Sequence, residues 1–265
     1  MAVYEIIFAT DEPDSARAKR VSAKKWRYNK MIIPSIDLMD GNAVQLVQGN
    51  PDNKKIELDD VKGLAFRFSQ IGPINVIDLD AALGRGNNKD IVKDLAKENE
   101  IRVGGGVREI SVAQEYVDAG VKKVIIGSRA FQNGGIDKEF LNELKETIGK
   151  DKIIIAIDSK AGKVVIKGWT ESTGLDAKEI VKELEEYCSE FLYTYVDKEG
   201  MMQGTDIETL KELKELTDNE ITAAGGISSI EEIKQLEEIG VNSVLGMALY
   251  TGKIKYEELL ELSKK

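Results

Sequence analysis

From residue 31 onward, short apolar, β-branched runs alternate with amphipathic stretches, and the second half of this alternation repeats the first. The runs occupy residues 32–37, 74–80, 100–104, 123–127, 153–158, 191–196, 220–224 and 241–246. Near-continuous apolarity of this kind suits parallel strands covered on both faces. The stretches between them have helical spacing at 88–98, 110–119, 137–147, 176–187, 206–216 and 230–239. A further helix over 256–264 closes the chain, and 60–71 is a weaker helix because Gly63 lies inside it. Eight strands alternating with eight helices is the arithmetic of a (β/α)8 TIM barrel; a doubly wound open sheet is the other fold the pattern admits.

The repeat favours the barrel. Ser35-Ile36-Asp37, with Gly41-Asn42-Ala43-Val44, recurs as Ala156-Ile157-Asp158 with Gly162-Lys163-Val164-Val165. Gly105-Gly106-Val107 recurs as Gly225-Gly226-Ile227, and Ile126-Gly127-Ser128 as Leu245-Gly246-Met247. Asp37 and Asp158, Gly106 and Gly226, and Gly127 and Gly246 are 121, 120 and 119 positions apart. A duplicated half-barrel closes on itself with twofold regularity, whereas the strand order of an open sheet reverses once. The period far exceeds that of a solenoid repeat.

Composition narrows the chemistry. The chain has no histidine, which excludes a Ser-His-Asp triad, a histidine zinc site and an imidazole base. Carboxylates, lysines or tyrosines must carry any acid–base step. The single cysteine, Cys188, excludes an intrachain disulfide framework and a cysteine zinc site, and fits a reducing compartment; a cytoplasmic location is expected. A net charge of −10 argues against nucleic acid as the main partner. No apolar run reaches the roughly 18–20 residues of a membrane helix. A monomer acting on a small molecule is expected.

Residues 1–30 differ from the rest. Between 16 and 30 lie Arg17, Lys19, Arg20, Lys24, Lys25, Arg27 and Lys30 with no acid, while Asp11, Glu12 and Asp14 precede them. The stretch lacks the apolar centre of a secretory signal. It reads as a disordered lead-in or an overlong start, with a transit peptide or a nucleic-acid-binding arm as weaker alternatives, and the barrel is assigned to 31–265.

In such barrels the working face is the C-terminal end of the strands, and three kinds of feature fall there. The first is acids that end strands: Asp37 on strand 1, Asp78 and Asp80 on strand 2, Asp158 on strand 5, Asp197 and Glu199 after strand 6. Strands 1 and 5 lie opposite each other in an eight-strand ring, so Asp37 and Asp158 face one another across the mouth. Two such carboxylates in different environments can divide into acid and base; a single strand-terminal Asp is as readily a helix cap.

The second is the glycine turns, Gly104-Gly105-Gly106 with Gly127-Ser128, and Gly225-Gly226 with Gly246-Met247. Open backbone N–H groups at such turns make anion sites, and two repeat-related sets imply a ligand with a phosphate at each end. Glycine present only to permit a tight turn is the alternative. The third is groups in long loops. Trp169, beyond a hairpin-like stretch after strand 5, can stack a flat heterocycle or simply pack. Arg85 and Arg108 can clamp anionic groups or stand as surface charges. Cys188, at a helix end, reads as an inert packing residue, and the charged runs 178–186 and 208–215 read as solvated helix faces.

Taken in order, Ile33-Pro34-Ser35-Ile36-Asp37-Leu38, Val44-Gln45-Leu46-Val47-Gln48-Gly49, Ile77-Asp78-Leu79-Asp80-Ala81-Ala82, Val103-Gly104-Gly105-Gly106-Val107-Arg108, Ile155-Ala156-Ile157-Asp158, Ile166-Lys167-Gly168-Trp169 and Ala223-Ala224-Gly225-Gly226-Ile227-Ser228 resemble the HisA family. These are the phosphoribosylformimino-aminoimidazole carboxamide ribotide isomerases of histidine biosynthesis. The resemblance runs from residue 31 to about 260 and implies a (β/α)8 barrel. It also implies an Amadori rearrangement of a bis-phosphorylated aminoaldose to an aminoketose, without cofactor or metal. By resemblance Asp37 is the base that takes the sugar C2 proton, Asp158 is an acid or holds the sugar, Thr194 is the active-site threonine, and Trp169 stacks on the imidazole.

Two positions depart from the family pattern. Gln45 stands where an arginine is usual, which removes a charge near the mouth and argues against a second activity on the related tryptophan-pathway substrate. Glu199-Gly200-Met201 replaces Asp-Gly-Thr after strand 6, so Glu199 shares or replaces the acid role given to Asp158. Two other functions stay open on these residues: a HisF-like cyclase, which typically carries lysine at position 45 and lacks the Lys-Gly-Trp stretch, and a catalytically inactive barrel that binds sugar phosphates.

Overall fold

The structure, a computed structural model, describes residues 32–47 and 49–264. The expectations for residues 1–30 lie outside them. Among the described residues, eight parallel strands form a ring: β1 (Ile32–Met39), β2 (Ile74–Asp78), β3 (Ile101–Gly104), β4 (Lys123–Ile126), β5 (Ile153–Lys160), β6 (Glu190–Tyr195), β7 (Glu220–Ala224) and β8 (Asn242–Leu245). Ring order follows chain order. The ring closes where β4 pairs with β5, Val124 opposite Ile153, and where β8 pairs with β1, Ser243 opposite Ile32. A closed ring has no edge strand, so the open-sheet alternative is excluded.

The strands are buried on both faces, as their apolar runs require. Ile125, Ile154, Leu192 and Ala224 fill the barrel with Ile77, Ala156 and Val244 beside them. The larger core lies between strands and helices and includes Ile36, Val76, Val103, Ile155 and Phe191 from the sheet. Helices such as Lys138–Ile148, Ala177–Leu184 and Ile207–Leu216 supply its outer wall, and each is started by an aspartate whose carboxylate accepts a first-turn backbone N–H.

Two strands overrun their expected ends. β1 continues past Asp37 to Met39 and turns through Asp40-Gly41 into an antiparallel strand, Asn42–Leu46; β5 continues past Asp158 to Lys160 and turns through Ala161-Gly162 into Lys163–Ile166. The turn residues have φ of 52° and 80°, and of 49° and 76°. Positive φ at both central positions is what a two-residue type I′ hairpin needs. The duplication therefore extends to the hairpins above the mouth, at strands on opposite sides of the ring.

Strand 2 is shorter than its sequence suggests. It stops at Asp78, whose side chain caps a short helix, Leu79–Leu83, by accepting from Ala81 N–H. Asp78 and Asp80 are both buried. Asn88 joins them by donating from its side chain to each. The capping alternative thus describes Asp78, while Asp80, inside that helix, accepts from Asn88, Arg85 and Asp40 N–H; together they hold the loop after β2.

The opposite end of the barrel is closed by ions. Glu190 at the start of β6 is wholly buried and accepts from Arg102 at 2.5 Å, Lys123 at 2.7 Å and Thr222 at 2.5 Å. This layer lies at the N-terminal end of the strands, where residues of such barrels serve stability.

Candidate active site

Three carboxylates converge at the C-terminal mouth. Asp37 rises from β1 and Asp158 from β5, on opposite sides of the ring, and Glu199 follows the helical turn after β6. Burial pushes the Asp37 carboxyl up to about 6, against a hydrogen bond from Ser35 Oγ at 3.3 Å that pulls it down. Burial also pushes Glu199 up, to about 7, and the negative charges of Asp37 and Asp158 push the same way, so the three groups share one field. Asp158 is raised by burial too, but accepts from the Thr194 hydroxyl and from Trp169 Nε1–H at 2.9 Å, both of which favour its ionised form.

The environments separate the roles. Asp158 holds two donors, which offset part of the rise that burial imposes on it. Glu199 receives one backbone N–H, from Gly200, and burial together with the two neighbouring carboxylates raises it above Asp37. Thr194 stands beside Asp158 in the β5–β6 register, which is why its hydroxyl reaches that carboxylate.

The glycine turns have matching geometry. Gly127 (φ −99°, ψ −114°) precedes a helical turn at Ser128–Ala130, and Gly246 (φ −112°, ψ −105°) precedes the short helix Met247–Tyr250. Gly105 and Gly225 both have φ of 91°. A Cβ on Gly105 would lie 2.2 Å from Asp78 O, and one on Gly225 2.6 Å from Tyr195 O and 3.1 Å from Glu199 Oε2. The second turn thus forms part of the seat of the Glu199 carboxylate. Gly106 and Gly226 press in the same way on Ala81 and Gly204.

The loop residues already have partners. Trp169 sits beyond the β5 hairpin, in a run where Lys167, Gly168 and Trp169 all have positive φ. Its indole lies over Gly49, in the loop that extends from β1, so closely that a Cβ there would approach Cζ3 to 2.6 Å. Ser128 Oγ accepts from Lys167 N–H at 2.8 Å, which ties this loop to the turn after β4. Arg85 Nε pairs with Asp80 at 3.0 Å, and Arg108 donates to the carbonyls of Ala81 and Ala82 at 3.0 and 2.6 Å. Asp197 accepts from Ala161 N–H and holds the β5 hairpin turn. Cys188 is buried, with its thiol pushed up to about 12 by burial.

Sequence reasoning named Gln45 but passed over Tyr250 and the role of Ser35 in shaping this mouth. Gln45 is buried, and its Oε1 stands where a Cβ on Gly246 would come within 2.9 Å. Tyr250, wholly buried, donates to Ser35 O at 3.2 Å below Asp37. Ser35 itself lies two residues before Asp37 on the same strand face, and that spacing was the signal available.

The family described as "Histidine biosynthesis protein" matches residues 31–255. Among similar proteins, one of Methanocaldococcus jannaschii is 42% identical over 239 residues, covering 88% of this chain and 99% of its own length. One of Methanococcus maripaludis is 39% identical over 241 residues, with 88% and 100% covered. One of Methanothermobacter thermautotrophicus is 36% identical over 237 residues, with 87% and 98% covered. All three bear the name 1-(5-phosphoribosyl)-5-((5-phosphoribosylamino)methylideneamino)imidazole-4-carboxamide isomerase.

Proposed function

The chain belongs to the histidine biosynthesis protein family, and on that footing we propose that it is the isomerase its relatives are named for, converting the bis-phosphorylated aminoaldose to the aminoketose by carboxylate acid–base chemistry. The observation that carries this reading is the set of three carboxylates at one barrel mouth, two from opposite strands and one pushed up by burial and by the charges of the other two.

Glu199 is the acid. It gives its proton to the sugar ring oxygen, the ring C–O bond breaks, and C1 becomes an iminium carbon. Asp37, ionised, takes the proton from C2, and the electron pair of that C–H bond forms an enamine with a hydroxyl on C2. C1 then takes up one proton and the C2 hydroxyl gives one up as the carbonyl forms, which restores both carboxyl groups. Each step needs a proton donor and an acceptor near neutral pH, which the raised positions of Glu199 and Asp37 supply.

Asp158, held by Thr194 and Trp169, orients the sugar. The paired turns at Gly105-Gly106 with Gly127-Ser128, and at Gly225-Gly226 with Gly246-Met247, take the two phosphates, since equal glycine turns stand in each half. Trp169 takes the carboxamide-imidazole ring, and Arg85 and Arg108 hold the loops that border it. The finer expectations for location and assembly, a cytoplasmic monomer, belong to the same reading.

The test is turnover of the purified aminoaldose with product identified by mass-neutral ketose formation. Rearrangement by the wild type, lost in Asp37→Asn, supports the reading. Turnover only of the aminoketose with ammonia would assign a cyclase instead, and tight binding with no rearrangement would assign an inactive barrel.

A further inference from the structure

We infer that Ser35 is a positioning residue for the Asp37 carboxylate, holding it in the orientation that meets the sugar C2 proton. The inference rests on the isomerase reading and extends it. Ser35 and Asp37 share one face of β1, and Ser35 Oγ donates to Asp37 Oδ1 at 3.3 Å. The serine is buried, at 7% exposure, so its hydroxyl meets little competing water. Its backbone is held as well, because the wholly buried Tyr250 donates to the Ser35 carbonyl at 3.2 Å. A carboxylate on a two-bond stem is thereby supported from its own strand, below the mouth.

The duplication sharpens the point. The residue two places before Asp158 is Ala156, which has no hydroxyl. Asp158 receives its support from the neighbouring strand, through Thr194, and from Trp169 above. The two halves therefore steady their aspartates differently. Asp37 keeps its other oxygen, Oδ2, clear of the serine, where a base must accept a proton, while Asp158 accepts from two donors and is suited to hold rather than to abstract.

The groups that face Asp37 are Ser35 on β1, Glu199 from the loop after β6 and the Tyr250 hydroxyl from the helix after β8, the last two being pushed up by its charge. Of these only Ser35 lowers the Asp37 carboxyl. Loss of its hydroxyl must therefore raise Asp37, while a purely structural serine would leave it unmoved.

The experiment compares wild type, Ser35→Ala and Ser35→Thr by the pH dependence of kcat/KM and by titration of Asp37 in 13C-labelled protein. Ser35→Ala is expected to move both the acid limb and the Asp37 titration up by about half a unit to one unit, a three- to tenfold loss of rate below that limb. Ser35→Thr, which keeps the hydroxyl, is expected to restore both. An Asp37 titration that does not move in Ser35→Ala overturns the inference, whatever the turnover. A titration that moves while the acid limb stays fixed leaves Ser35 coupled to Asp37 but removes Asp37 as the base, and so overturns the isomerase mechanism instead.

Discussion

The indole N–H of Trp169 donates to Asp158 Oδ2 at 2.9 Å while its ring lies on Gly49, so a loop from β5 reaches across the mouth to a loop from β1. One side chain thus touches an active-site carboxylate and the opposite rim. Trp169→Phe keeps a flat ring over Gly49 and removes the donor. A hydrogen bond to a charged acceptor contributes about 1.5–3 kcal/mol to stability, so Trp169→Phe is expected to lose up to about that much, and kcat/KM to fall as Asp158 loses a donor. Steady-state kinetics beside thermal unfolding check it; equal kinetics would separate the indole N–H from function.

Burial of Asp37 trades stability for reactivity. Its folded carboxyl titrates near 6 against an ordinary 3.8. Between those values the folded chain binds more protons than the unfolded one, so this group lowers stability as pH rises through the window. Asp37→Asn is expected to be inactive but more stable at pH 8 by about 1–2 kcal/mol, discounted for partial exposure. That corresponds to roughly 2–8 °C in Tm. The gain should shrink toward zero at pH 4; denaturant titration at both pH values decides it.

The glycine turns predict a graded loss. Gly225→Ala places a Cβ at φ 91°, against Tyr195 O and beside Glu199 Oε2. Gly105→Ala meets an equal φ and presses on Asp78 O. Both are expected to lower stability by about 2–4 kcal/mol, since left-handed backbone and steric overlap act together. Only Gly225→Ala disturbs the seat of Glu199, so in variants that remain folded its base limb, the titration of the acid, should move. Circular dichroism and a pH–rate series compare them.

Glu190 isolates stability from catalysis. It accepts from Arg102, Lys123 and Thr222 at the far end of the barrel. Glu190→Ala leaves a buried guanidinium without its carboxylate, an expected loss of about 3–5 kcal/mol. Turnover per folded molecule should be unchanged. Denaturant midpoints and active-site-normalised rates measure the two effects apart.

The barrel was legible because its signals are local and repeated. Apolar runs named all eight strands to within two residues at most ends, and the recurrence of Asp37 as Asp158 placed two carboxylates on opposite strands. What the sequence hid depends on contacts between distant segments. The end of β2 at Asp78 is set by Asn88, ten residues on, and by a cap that competes with the strand. Gln45 read as a mouth position but is buried against Gly246, a neighbour only because the ring closes between β1 and β8. Arg85 and Arg108 read as clamps for an anion or as surface charges; both are met by groups of the loop after β2, contacts that the sequence does not show. The site legible from residue types alone was the carboxylate pair; that Glu199 is pushed up to about 7 follows from its burial and then from the charges of the other two, which only the folded mouth creates.

The central claim is that Asp37 takes a proton and Glu199 gives one in a single turnover. The most direct measurement is kcat/KM for rearrangement of the aminoaldose from pH 4 to pH 9, in wild type and in Glu199→Gln. The account predicts a narrow bell whose limbs lie near 6 and 7, the positions of Asp37 and Glu199. It also predicts that Glu199→Gln is slower by about two to four orders of magnitude and loses the limb near 7 while keeping the one near 6. A Glu199→Gln enzyme that retains both limbs and the wild-type rate would contradict it.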